Sequence, residues 1–295
     1  MPGITTTTAV ANSLPTMRFG ARSVLESKAG MRFTVDRIQL PKNQGNTWSE
    51  TDFARISAQT VGETDDLLDN PQQLSDTLNS ITPGDNGIHV IYTDRVADRV
   101  IADAAGIIRS GVQAMNAIMR TVELNLITTG QGASVDMGTA GNPLQSVTIR
   151  SARSRISANS TEGAMGPTYM QHHGFCLKDI EDELVAAVGT YEISSGVTAE
   201  VFGRSFTAAP RMIGDVIVQE NNLITIDSSD DAEGFVYDKN GIIHVEGRGA
   251  RTEYLRRPNI GGGATSVFMY FESASGFRSS GNWQKSITAD ASNPS

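Results

Sequence analysis

The 295-residue sequence is poor in the residues that carry most enzyme chemistry, with one cysteine, four histidines and two tryptophans. A lone cysteine, Cys176, excludes an intrachain disulfide and a cysteine-only zinc site, and reads as a small, partly buried apolar residue. The histidines, His89, His172, His173 and His244, are scattered, so position marks none of them as a general base. His172 and His173 stand together at an expected helix start, where neighbouring side chains diverge and do not share a metal. There is no Gly-x-Ser-x-Gly elbow and no His-Glu-x-x-His pair. Gly261–Ser266 is glycine-rich but lacks the lysine that would reach a phosphate, and it reads as a hairpin loop between strands. Asp227–Gly234 fails the spacing of a calcium loop and reads as a solvated acidic turn. No catalytic or metal constellation emerges, and no cofactor is expected.

Charge is also sparse. Charged residues make up 19% of the chain, the formal net charge is −9 and the pI is near 5.0, which argues against a broad grip on nucleic acid. No unbroken apolar run of ~20 residues is present, so no membrane span is expected. The first residues, MPGITTTTAVANSLPTM, lack the basic start and apolar centre of a signal peptide, which predicts folding in a cytosol. Nineteen of the 24 basic residues are arginine, suited to planar, bidentate contacts at protein interfaces.

Against these absences stands one long periodic stretch, Thr93 to Thr128. Val96, Val100, Ala104, Ile107/Ile108, Val112, Met115, Met119, Val122 and Leu126 recur at helical spacing. Thr93 and Asp94 supply N-capping oxygens, and the Gly130 region is expected to stop the helix. At ~1.5 Å per residue it would reach roughly 50 Å, far beyond the ~12 residues of an average globular helix. Gly106 and Gly111 with uncharged flanks argue against a coiled coil, and Asp98, Arg99, Asp103, Arg109 and Arg120 against a membrane span. The remaining reading is a structural spine lying across a sheet, bent near the two glycines.

Around the spine, residues 1–17 read as a Thr-rich arm and residues 17–40 as a basic segment with Arg18, Arg22, Lys28, Arg32 and Arg37. Met31–Leu40 is expected to be a strand, Pro41–Asn46 a turn, and Thr47–Trp48 the start of another extended run. Residues 50–76 reverse the charge, with Glu50, Asp52, Glu63, Asp65, Asp66, Asp69 and Asp76 against Arg55 alone. Basic and acidic segments either pair, within the chain or between copies, or form two solvated faces. A short helix is expected within 67–80, a turn at Pro83–Gly87 and a strand at Ile88–Tyr92. Residues 129–143 read as an exposed loop. Helices follow at Leu144–Ser157, with Arg150, Arg153 and Arg155 on its polar side, and at His172–Ala187, with Asp179, Glu181, Asp182 and Glu183 outward. A strand is expected between them at Gly166–Gln171. Further strands are expected at Asp215–Gln219, Asn222–Ile226, Phe235–Tyr237, Ile242–Glu246, Arg251–Leu255 and Thr265–Phe271, before a polar tail at 288–295.

The order of these parts resembles the major capsid protein of tailed bacteriophages, the Hong Kong 97-like fold, from about Arg18 to Asp290. Gln39–Thr47 followed by Ile56–Glu63 looks like that family's projecting hairpin, the E-loop, and the helix from Thr93 like its spine helix. Leu144–Ser157, Gly166–His173 and the helix to Ala187 resemble the lead into its axial domain. Phe235–Lys239, Ile242–Glu246, Arg251–Glu253 and Phe268–Ile287 resemble the closing strands of its peripheral domain. The resemblance implies an α+β subunit divided into an N-terminal arm (1–36), the E-loop and flanking peripheral strands (37–92), the spine helix and following loop (93–143), an axial domain (144–233), and closing peripheral strands with a tail (234–295). It implies a non-enzymatic shell protein that assembles in a host cytoplasm into hexamers and pentamers around double-stranded DNA.

Implied partners are further copies of the chain, a portal, a separate scaffolding protein and a decoration protein. Arg18, Arg22, Arg32, Arg37, Lys42, Trp48, Glu63, Asp65, Asp66 and Asp69 are the expected assembly residues, the two charge blocks pairing between subunits. Lys42 lies in the expected E-loop, but no acceptor or acid catalyst accompanies it, so no isopeptide crosslink is expected. No fused scaffold leader is evident. An encapsulin-like cargo compartment is the neighbouring alternative, and a strand-rich ligand-binding or hydrolase domain is the alternative of another class.

Overall fold

A computed structural model describes residues 4–5, 30–43, 45–58, 60–63, 72–99, 104–133, 135–159, 164, 166–188, 211–260, 262–278 and 282–292. Strands form three sheets. The first has the order β1-β5-β12-β10-β2, built from Ile4–Thr5 (β1), Gly84–Thr93 (β5), Ala264–Phe277 (β12), Ile242–Glu246 (β10) and Asp36–Gln39 (β2), with Arg251–Arg257 (β11) also pairing β12. The second has the order β13-β9-β6-β8-β7, from Gln284–Asp290, Asp231–Asp238, Thr168–His172, Val216–Glu220 and Arg211–Ile213. Trp48–Phe53 (β3) and Asp76–Ile81 (β4) pair only with each other, in antiparallel register from Trp48 opposite Ile81 to Phe53 opposite Asp76.

Among the described residues are four α-helices: α1 (Asp94–Arg99), α2 (Ala104–Gln131), α3 (Ser146–Ser157) and α4 (Gly174–Val188). Thr93 caps α1, its Oγ1 accepting from Val96 N–H at 3.4 Å. With 28 residues, α2 is about 42 Å long at ~1.5 Å per residue. It lies against β5, β10 and β12 of the first sheet and β9 and β13 of the second, which is the spine geometry the periodicity predicts. Ile118, Val122, Leu126 and Ile127 on its inner stripe are buried with Phe235, Val236, Tyr237 and Ile242. Ile149, Ala152 and Ile156 of α3 and Cys176, Leu177 and Ile180 of α4 close the same core from the other side. β9 is therefore sheltered at nearly every position, its apolar centre Phe235–Tyr237 flanked by the acids Asp231, Glu233 and Asp238, as in a strand covered on both faces.

Several local expectations change. The helix runs through Gly130 to Gln131 instead of stopping there, because Phe235 presses on it: a Cβ at Gly130 would sit 2.2 Å from the ring. Met31–Phe33 is a 3-10 turn, leaving only Asp36–Gln39 as strand. Residues 76–81 are strand, not helix, since β3 supplies their hydrogen bonds. Gly84–Gly87 joins β5, paired to β12 from Ser273 to Tyr270. Asn222–Ile226 is turn, with Asn221 Oδ1 capturing Leu223 N–H, and only Ile226 makes a bridge, to Ala232. His172 ends β6 instead of opening α4, and Thr288–Asp290 belongs to β13 instead of a tail. Asp179 and Glu183 are not simply outward: they accept from the backbone N–H of Leu144 and Ser146 and so cap the entry to α3. Residues 258–260 and 262–263 lie between β11 and β12, with Gly262 and Gly263 at φ of 84° and 119°, where a Cβ is disfavoured, while Ala264–Ser266 of the expected Gly261–Ser266 loop open β12. Segment 234–295 contributes strands to both sheets, β9 and β13 to one and β10–β12 to the other.

Candidate assembly surfaces

The β3–β4 ribbon carries large exposed apolar side chains. Its strands alternate between a half-sheltered face, with Trp48, Glu50 and Asp52, and an open face, with Ser49, Thr51 and Phe53. On the open face Phe53 is 66% and Leu78 64% exposed, and Leu78 lies opposite Thr51, diagonal to Phe53. Ile56, Val61 and Leu74 are also exposed in the connection beyond the strands. A two-stranded ribbon is marginal alone in water, and its exposed apolar side chains make it a candidate contact surface.

The ribbon's root is anchored to the body. Arg278, just after β12, donates from Nε to Glu50 Oε2 at 2.7 Å, from the NH2 nitrogen to Asp36 Oδ2 at 3.0 Å and from the NH1 nitrogen to the Asn240 carbonyl at 2.9 Å. Burial works against the guanidinium's charge, but the hydrogen bonds and charge of Glu50 and Asp36 outweigh it and raise its pKa. Ile81 packs onto Gly276, where a Cβ would meet its side chain at 2.6 Å.

The expected assembly residues fall in four places. Arg32 and Arg37 both pair with Glu246 of the same chain, at 2.5 and 2.7 Å, and Arg32 also lies over the Phe271 ring. Burial pushes the Glu246 carboxyl up, yet the two guanidiniums hold it below its ordinary value. The two arginines therefore meet an acid of β10, not the acidic segment 50–76, which sequence separation of more than 200 residues hid. Lys42 and Glu63 are exposed, and Trp48 sits half-buried at the ribbon root opposite Ile81. Arg18, Arg22, Asp65, Asp66 and Asp69 lie outside the described residues. Glu50, Glu246 and Arg278 were not singled out from the sequence, because each acts through a residue distant along the chain.

The residues with chemical potential are engaged structurally. His172 is fully buried, its Nε2 3.2 Å from the Ile287 carbonyl, and burial lowers its pKa to about 4. His244 is likewise lowered to about 4, first by burial and then, against the pull of Glu246, by Arg32 and Arg37. His89 stacks on Phe268 with ring centroids 4.2 Å apart. Burial raises the Cys176 thiol to about 12, so it stays protonated and unreactive near neutrality. Among the described residues no group of three His, Cys, Asp or Glu side chains is placed to hold a metal, and no helix is long and apolar enough to cross a membrane.

A long helix packed on two sheets, with a two-stranded ribbon inserted between β2 and β5, is the α+β arrangement of the Hong Kong 97-like fold. Solved shells share this fold. A chain of the capsid of Ralstonia phage GP4 superposes with a TM-score of 0.63 at 14% identity, over 89% of this chain and 88% of its own. The capsid of cyanophage P-SCSP1u gives 0.66 at 11%, over 93% and 92%. An encapsulin complex from Synechococcus elongatus gives 0.63 at 8%, over 97% of both chains. No protein-family model and no curated protein matches the sequence.

Proposed function

We propose that this chain is the major capsid protein of a tailed bacteriophage, assembling as hexamers and pentamers into an icosahedral shell around double-stranded DNA. The observation that carries the reading is the ribbon: a shell fold whose projecting element leaves Phe53 and Leu78 in water demands a neighbouring copy. In this reading α2 is the spine helix and β3–β4 the E-loop, formed by 48–53 and 76–81 with Ile56–Glu63 in the connection between them. The segments 1–36, 37–92, 93–143, 144–233 and 234–295 are arm, E-loop with peripheral strands, spine, axial domain and closing peripheral strands with tail. The role is structural, without a catalytic step. The net charge of −9 suits a wall that does not bind packaged DNA tightly.

With Arg32 and Arg37 already paired to Glu246, pairing between subunits of the basic and acidic blocks rests on Arg18 and Arg22 against Asp65, Asp66 and Asp69. A portal, a scaffolding protein and a decoration protein complete the assembly, which takes place in the host cytoplasm and ends in the virion. The experiment is expression of the full chain followed by light scattering and negative-stain electron microscopy. Shells, pentamers or hexamers are expected; a well-folded monomer under every condition, with or without a scaffold partner, overturns the proposal. The encapsulin alignment supports a second reading, a compartment for cargo protein. Particle contents separate the two, nucleic acid for one and an enclosed protein for the other.

A further inference from the structure

We propose that Arg278 aims the ribbon, holding β3–β4 in one direction relative to the body before any neighbour is met. This rests on the shell reading for its consequence, though not for its test. The ribbon is joined to the body by the segments 40–47 and 82–83, whose described residues are neither helix nor strand. Neither connection is paired into a sheet, so a non-covalent point on the body sets the ribbon's direction. Arg278 supplies that point, because its planar fork grips Glu50 on the ribbon, Asp36 on β2 and the Asn240 carbonyl on the β9–β10 turn at once.

The setting makes the clamp stiff. The Arg278 side chain is only 15% exposed, against 35% for Glu50 and 31% for Asp36, so the cation is held in a half-dry site between two anions from different elements. Its own backbone N–H donates to the Gly241 carbonyl at 3.0 Å, which fixes the base of the side chain. Ile81 against Gly276 gives an apolar contact on the other ribbon strand, but one side chain on a glycine is less directional than the charge-assisted hydrogen bond from Arg278 to Glu50, whose donor is itself held by Asp36 and the Asn240 carbonyl. A lysine at 278 would keep the charge and lose the fork. An aimed ribbon meets its neighbour without first losing orientational freedom, which is the gain from preorganisation.

Spin labels on the exposed positions of Thr51→Cys and Ser229→Cys, with the buried Cys176 left in place, read the ribbon's direction as a distance distribution in unassembled full-length subunits. The expected result is one narrow peak in the otherwise wild-type chain, its loss to a broad distribution in Arg278→Ala, and intermediate broadening in Glu50→Gln and Arg278→Lys. The last two alter only partly exposed groups and keep the test open if Arg278→Ala does not fold. A broad distribution without any clamp substitution, or an unchanged narrow peak in the variants, overturns the proposal. Closed shells at undiminished yield from a variant with a broadened peak overturn it as well. If the unsubstituted chain never assembles, the shell reading fails while the distance distributions still decide whether Arg278 holds the ribbon.

Discussion

The second sheet and the ribbon are both built from strands, yet they bury opposite fractions of themselves. Phe235, Val236 and Tyr237 of β9 are fully buried, whereas along β4 only Asn79 and Ile81 are even half-sheltered. At ~25 cal/mol per Å² of apolar surface removed from water, the sheet draws its stability from its own chain, whereas the ribbon's open face contributes little to it. If the proposed assembly uses that face, stability and assembly rest on different residues, and substitutions that separate the two effects test the division.

The largest effects belong to the core. Phe235→Ala is expected to cost about 4 kcal/mol, the cavity penalty for a buried aromatic. Gly130→Ala, whose Cβ would sit 2.2 Å from that ring, should cost about 2 kcal/mol by overpacking. Because the added methyl fits the space the ring vacates, the double variant should be less destabilised than the sum. Strict additivity in urea unfolding would show that the two do not touch. Next is Glu123, 5% exposed on α2, whose Oε1 accepts from Met31 N–H at 2.9 Å and Asn221 Nδ2 at 3.3 Å. Glu123→Ala strands both donors and is expected to cost about 3 kcal/mol, with Glu123→Gln closer to wild type. Equal stability of wild type and Glu123→Ala would remove this seam between the 31–34 segment and the second sheet.

Acid should weaken the core through its histidines. His172 and His244 titrate near 4 in the folded protein against an unperturbed 6.5, so between those values the unfolded chain binds more protons. Their contribution is complete above about pH 6.5 and falls away as pH drops toward 4, on the order of 2–3 kcal/mol for each histidine. Glu123, whose carboxyl burial raises, acts with the opposite sign and returns part of the loss as it protonates. Tm should therefore fall from pH 7 to pH 4.5, and His244→Gln should make the fall shallower. An unchanged slope would mean His244 is not buried as a neutral ring.

What the sequence made legible follows physical range. The spine could be read where its signal is local and repeated: Ile118, Val122 and Leu126 fall on one stripe of α2 and are buried, with Met115 and Met119 half-buried beside them, while Val96 is buried on the separate helix α1 and residues 100–103 of the expected run lie outside the described residues. The centre of β9, Phe235–Tyr237, and β10 announced themselves by composition, whereas Asp231–Gly234, expected as part of a solvated acidic turn, is strand paired to β13, with Asp231 and Ala232 buried. Nor did Asp76–Ile81 announce itself, since a strand solvated on both faces shows no alternation and owes its state to β3, some 30 residues away. Gly130 misled for the same reason, its glycine serving a ring 105 positions later and not a turn. The Glu246 and Arg278 clusters join residues more than 200 positions apart, and no spacing rule reaches that far. Trp48, one of the expected assembly residues, lies at the ribbon root; Phe53 and Leu78 were not among them, since only the strand register reveals their exposure.

The smallest expected change in stability sits beside the largest expected change in assembly. Phe53→Ser and Leu78→Ser remove apolar surface that the isolated subunit leaves in water, so little burial is lost on folding and each should shift stability by no more than ~0.5 kcal/mol. In an interface the same side chains would be desolvated and central, where truncations cost about 2 kcal/mol or more at each contact. A shell repeats every contact many times, so a deficit of that size per subunit stops closure. Unchanged Tm with loss of particles in electron microscopy is the expected pair of results. Wild-type particles from Phe53→Ser/Leu78→Ser would show that the ribbon's open face is not an assembly surface, and a large fall in Tm would show that the subunit itself had been using it.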